Sequence, residues 1–225
     1  MFGLDELIAR SSDGKTLLIV LAVAAVLGMR HATDPDHLTA VTALIVSGDD
    51  RSARAARRLG FVWGLGHATT LFAFGLPIVF FSAYLPEPIQ RGAETAVGLM
   101  IVALAVRLLL RWRRGTIHAH DHPDVRTPLG AYAIGLVHGM GGSAGVGLLL
   151  LAGMQSRVIA VTSLAVLALF TAVSMSIISA GWGHALGRAS VRGALDRITP
   201  TLGLGSLAFG VWYALGALTL IPYVF

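Results

Sequence analysis

Cysteine is missing from this 225-residue chain. Disulfides and thiolate metal sites are therefore excluded, and the redox compartment stays undetermined. Charge is scarce too. Only 13% of residues are Asp, Glu, Lys or Arg, against about 25% in a soluble domain. With 55% hydrophobic residues and a mean hydropathy of +0.75, so little charge cannot cover a water-facing surface, and the composition reads as one integral membrane bundle. The net charge of +5 and pI near 10.4 do not point to nucleic acid. The arginines lie in short loops between apolar runs, and no folded basic domain is left outside them.

What is present is a series of apolar stretches. A membrane-crossing helix needs about 20 mainly apolar residues, and six segments qualify: residues 16–46, 59–85, 93–112, 129–154, 158–186 and 200–225. The expected fold is all-α, a polytopic protein of six transmembrane helices, because backbone in lipid must satisfy its own hydrogen bonds. Arginine alternates in density from loop to loop. Arg51, Arg54, Arg57 and Arg58 follow the first span; Arg111, Arg113, Arg114 and Arg126 follow the third; Arg188, Arg192 and Arg197 follow the fifth. The other side holds only Arg10, Lys15, Arg91 and Arg157. Positive charge stays inside, which places both termini outside the cytoplasmic membrane. Ala22-Val23-Ala24 mimics a signal-peptide cleavage site, but cleavage there would truncate the most polar span, so it is not expected.

An offset of about 107 positions lays Gly28-Met29-Arg30-His31 over Gly135-Leu136-Val137-His138, His67 over Ser174 and Thr69 over Ser176; one nearer 105 lays Gly98 over Gly203 and Val106 over Val211. These matches predict two repeats of three helices, residues 1–112 and 129–225, joined by a cytoplasmic loop at 113–128. Three is odd, so the halves have inverted topology. Such proteins bind substrate near the midplane, between the halves, on broken helices.

The first span carries His31-Ala32-Thr33-Asp34-Pro35-Asp36-His37. A charged group in hydrocarbon costs upward of roughly 2.5 kcal/mol, so such groups usually face a cavity and serve a purpose. Pro35 lacks a backbone donor and disfavours helix at Asp34, which predicts a helix break there. In an unbroken helix His31 and His37 would lie about 240° apart around the axis; a break lets them converge. Capping of a second helix by Thr33 or Asp34 accounts for one acid and the proline, but not for two histidines and a second acid at depth. The other ionisable groups expected within spans are Arg30, His67, Arg107 near a helix end and His138, with His184 at the end of the fifth span. His67 lies in Gly64-Leu65-Gly66-His67-Ala68-Thr69-Thr70, where glycines permit close helix approach. His138 opens a run with Gly139, Gly141, Gly142 and Gly145, which reads as unwound or tightly packed. Nitrogen and oxygen donors of this kind suit a divalent transition metal. The candidate metal-site residues are His31, Asp34, Asp36, His37, His67 and His138. Arg30 is an awkward neighbour for a cation; snorkelling, pairing with an acid and repelling the ion are all open to it. His118, His120 and His122 in the connecting loop are exposed donors for weak metal capture.

The run Leu27 to His37, with four residues between His31 and Asp36-His37, resembles the signature of the nickel/cobalt transporter family. Leu65-Gly66-His67-Ala68-Thr69 resembles that family's second motif, and Leu136 to Gly145 is similar to short six-span, urease-accessory-type nickel permeases. Larger members carry alanine where Pro35 stands and acidic signatures in later spans, whereas spans four to six here contain no acid. The resemblance implies secondary transport of Ni²⁺ or Co²⁺ across the cytoplasmic membrane, more in the direction of uptake than efflux, with His31, Asp36 and His37 essential. The metal is then cargo and no permanent cofactor is implied. The partners are the ion and the bilayer, and the sequence is compatible with a homo-oligomer. Two rivals are weaker. An intramembrane serine protease needs a serine activated by a histidine base, and the sixth span holds no histidine. An anion exporter needs cationic groups at depth, and only Arg30 qualifies.

Overall fold

In the computed structural model, residues 4–46, 52–81, 86–115, 127–139, 141, 156–188 and 194–222 are described. They form seven helices: α1 (Leu4–His31), α2 (Pro35–Val46), α3 (Ala53–Phe81), α4 (Glu87–Arg113), α5 (Pro128–His138), α6 (Arg157–Gly187) and α7 (Leu195–Ala217). No strand occurs among the described residues. The helices α3, α4, α6 and α7 each contain a stretch long and apolar enough to cross a membrane, and Leu18–His31 with Pro35–Val46 qualifies as one bent span. The chain is thus a multi-pass membrane protein with four such helices, or five with the bent pair. The expected fourth span is seen only over α5 and Gly139; apart from Gly141 its remainder, like the loop carrying His118, His120 and His122, lies outside the described residues. Side chains that face outward are large and apolar, among them Leu18, Ile19, Phe81, Leu129, Val158 and Ile177, as a lipid-facing surface requires.

The first span breaks where its sequence dictates. α1 ends at His31, and Ala32, Thr33 and Asp34 form an open turn. Pro35 then occupies the first position of α2, where its missing N–H costs nothing. The turn satisfies its own backbone: the Thr33 amide (2.8 Å) and hydroxyl (2.6 Å) both donate to the Arg30 carbonyl, the Asp34 amide donates to His31 O (3.1 Å), and Asp34 O accepts the Leu38 amide (3.0 Å). The two segments bend by 47°.

Glycine sets how the long helices meet. α3 and α6 run antiparallel: a Cβ on Gly60 would strike Met175 and Ser179, and one on Gly183 would strike Ala56. α4 and α7 are likewise antiparallel, with Gly98 against Ala214 and Gly203 against Leu109. Two further helices flank this pair of pairs, α1 on α6 and α5 on α3. These two flanking contacts match in detail. Gly28 of α1 sits on the Leu167 carbonyl and Thr171 amide, and Gly135 of α5 sits on the Trp63 carbonyl and His67 amide. Ser174 Oγ donates to Met29 O and Thr70 Oγ1 donates to Leu136 O, each at 2.9 Å. Both acceptors lie two residues before the histidine that ends the helix. The offset is 107 residues between α1 and α5 but 104 between α3 and α6. The contacts therefore pair Ser174 with Thr70 and Thr171 with His67, about one helical turn from the pairing a uniform offset predicts.

The core between α2, α3, α4 and α6 is built on Val41, Leu44, Ile45, Trp63, Leu108 and Met175. Trp63 forms its polar edge, and the histidines lie beyond it.

Candidate functional site

Four elements deliver one imidazole or more to a single buried point. α1 ends on His31, the first turn of α2 carries Asp36 and His37, α3 contributes His67 and α5 ends on His138. All are buried, His67 and His138 to 0% and 1% exposure. Ring centroids lie 4.0 Å apart for His37 and His138, 4.5 Å for His31 and His37, and 4.7 Å for His31 and His67. The sequence places His31 and His37 on different faces of a continuous helix; the open turn brings them together. Two helices, α1 and α5, aim their carbonyl ends at the cluster, and the partial negative charge there favours a cation.

The donor atoms fall into two triads that share His37: His31, His37 and His67, and Asp36, His37 and His138, each with ligand atoms within 4.8 Å of one another. Three donors around one ion at about 2.1 Å stand roughly 3.0–4.2 Å apart, so either triad would draw inward to hold an ion.

Hydrogen bonding assigns the tautomers. Asp36 is acceptor on both oxygens, Oδ1 for His37 Nδ1 at 3.2 Å and Oδ2 for His138 Nε2 at 3.0 Å. Each imidazole spends its N–H on that carboxylate, which leaves lone pairs on His37 Nε2 and His138 Nδ1. His31 Nδ1 lies 3.4 Å from Asp34 Oδ2. His31 Nε2 and His67 Nε2 share a hydrogen bond of 2.8 Å whose direction the tautomers set. His37 Nε2, His67 Nδ1 and His138 Nδ1 are the three imidazole nitrogens that are buried without a hydrogen-bond partner. A buried polar group left unsatisfied costs about 1–3 kcal/mol. The three fall across both triads, and two of them belong to rings, His37 and His138, whose other nitrogen is held by the Asp36 carboxylate, as metal-bound histidines commonly are.

All six expected residues are brought together, but not in equal roles. Asp34 lies outside both triads, between His31 and Arg30, whose guanidinium stands 3.8 Å from Asp34 Oδ1. Of the roles open to Arg30, pairing with an acid is the one adopted. Two residues join that the motifs did not single out. Trp63 stacks on His37 (5.7 Å between centroids) and meets His138 edge-on at 5.4 Å; it lies one turn before His67 on the same face of α3, a spacing that could have identified it. Glu94 is a buried acid on α4, and its backbone lies beside Gly141, three residues beyond His138. It stands within the expected third span and was legible as a polar residue at depth.

Two curated proteins resemble the chain. The urease accessory protein UreH of Bacillus sp. (strain TB-90) is 31% identical over 61% of this chain and 64% of its own length. A protein of Methanocaldococcus jannaschii, provisionally named a nickel/cobalt efflux system, is 27% identical over 55% of this chain and 56% of its own. The chain thus spans somewhat less than two thirds of either relative. No protein-family model matches it, and no solved structure does.

Proposed function

From a likeness to relatives that supports a nickel/cobalt permease family, we propose that this chain is a secondary transporter that moves Ni²⁺ or Co²⁺ across the cytoplasmic membrane. The observation that carries the reading is the buried cluster of His31, His37, His67 and His138, in which two triads of possible ligands share His37 and Asp36 orients both His37 and His138. Imidazole suits nickel, whose preferred planar arrangement uses about four donors. His31 would supply the fourth once its Nε2 turns from the hydrogen bond with His67 to the ion, and Asp36 offsets the ion's charge.

The broken first span and the helix end at His138 support a site where two inverted halves meet, residues 1–112 and 129–225, with both termini outside. The matched contacts of α1 on α6 and α5 on α3 support the same reading. Transport requires no bond-making chemistry. His138 gives its Nε2 to Asp36, the orientation a metal-bound histidine commonly has. Uptake is the direction we favour. Efflux is the second reading, prompted by the name of the archaeal relative.

Accumulation of radioactive nickel and cobalt in cells tests the proposal. His31→Ala and His37→Ala are expected to lower accumulation at least about tenfold with normal amounts of protein in the membrane. Accumulation at the wild-type rate by either variant overturns the assignment.

A further inference from the structure

A row of contacts leads from the surface of the bundle to its buried cluster: Arg30, Asp34, His31, His67. Exposure falls along it. The Arg30 side chain is 71% exposed, Asp34 is 11% and His31 is 7%. The spacings are 3.8 Å, 3.4 Å and 2.8 Å. Arg30, Thr33 and Pro35 are all exposed at the open turn, while the exposed residues of α1 between 18 and 29 are apolar, with Leu18, Ile19, Val23, Val26 and Met29. Lipid tolerates neither an open turn nor an unshielded guanidinium, and a water-filled vestibule at the turn answers both. On the α3 side of the cluster the packing is tight. There α5 lies directly on α3, with Gly66 against the Tyr132 carbonyl and Gly135 against the Trp63 carbonyl.

We propose that the open turn is the mouth of the metal site, that Asp34 is the first carboxylate a divalent cation meets, and that Arg30 is a tethered cation that occupies Asp34 until the ion displaces it. The inference rests on the transport reading and adds to it a residue that sets affinity. A monovalent guanidinium this exposed, and 3.8 Å from its partner, forms one of the weakest kinds of ion pair. A dication competes well for the same oxygen. Arg30 thereby weakens loading, and it keeps Asp34 from bonding to His31 alone in the empty site. A group with a merely structural part at the end of α1 would act the other way, because its loss would loosen the site.

Nickel binding to the purified full chain in detergent, measured by titration calorimetry, decides the matter. Arg30→Gln is expected to tighten binding about twofold to fivefold, the strength of an exposed ion pair. Arg30→Lys keeps the charge and is expected to restore the wild-type constant. Asp34→Asn is expected to weaken binding, and adding Arg30→Gln to it should change nothing further. Unchanged or weaker binding by Arg30→Gln overturns the proposal, as does an Arg30→Lys variant that behaves like the glutamine one. Those two variants decide the outcome even if Asp34→Asn does not fold. Absence of saturable nickel binding by the wild type would overturn both this inference and the transport reading, whereas binding that is indifferent to Arg30 would remove this inference alone.

Discussion

Asp36 holds two imidazoles at once, and that double bond makes it the most consequential single side chain. Asparagine has the same size but one acceptor oxygen, so Asp36→Asn can fix the tautomer of His37 or of His138, not of both. Nickel affinity is expected to fall about 10-fold to 100-fold in calorimetric titration, with the fold retained; an unchanged constant would remove the orienting role. The members of the site are unevenly legible. Histidines and acids within an apolar run stand out because burying them is costly, and all six were identifiable on that ground. Their division of labour was not, since Asp34 and Asp36 carry the same group one residue apart and only the turn decides that one lies behind His31 and the other between His37 and His138. Trp63 is hidden for the opposite reason. An indole in an apolar helix is an ordinary core residue, and its part in the site appears only through its stacking on His37.

Among the elements, the interrupted first span repays attention to its proline. Pro35 was the reason to expect a break, and the break is there, but three further hydrogen bonds hold it open: those of the Thr33 amide, the Thr33 hydroxyl and the Asp34 amide. Proline at the first position of α2 contributes mainly by restricting the unfolded chain. Pro35→Ala is therefore expected to lower stability by only about 0.4–1 kcal/mol and to leave nickel accumulation within about twofold, measured by thermal unfolding in detergent and by uptake in cells. A large loss would show that the ring itself holds the turn. The other helix end was legible only as a glycine-rich stretch. Gly139 has φ −69°, an ordinary backbone that any residue adopts, so it is not needed for a left-handed turn. It is glycine because a Cβ there would press on the His67 carbonyl and on Thr70. Composition alone does not separate these two uses of glycine, as both give the same letters.

Over the whole molecule, what positions the site is the pairing of α5 with α3 and of α1 with α6. A methyl group on Gly135 would collide with the Trp63 carbonyl and lie 2.9 Å from the His67 amide, which would push α5 outward and take His138 from Asp36. Gly135→Ala is expected to abolish nickel accumulation and lower the unfolding temperature. Gly205→Ala on α7 meets nothing within 4 Å and is expected to be silent in uptake, with a gain of roughly 0.5–1 kcal/mol from helix propensity. Equal behaviour of the two variants would dismiss the close contact as a determinant. Internal similarity was visible in the Gly28–His31 and Gly135–His138 stretches, since both end a helix on a histidine. Along α3 and α6 the parallel contacts run at an offset of 104, through the Thr70 and Ser174 bonds, a register that interchangeable apolar residues do not display. At Gly66 and Gly135, finally, peptide rests on peptide with no methyl cushion between. Such a seam has almost no slack, so on the proposed transport reading the cluster would breathe at the other end of the first span, where a three-residue strap is all that joins α1 to α2.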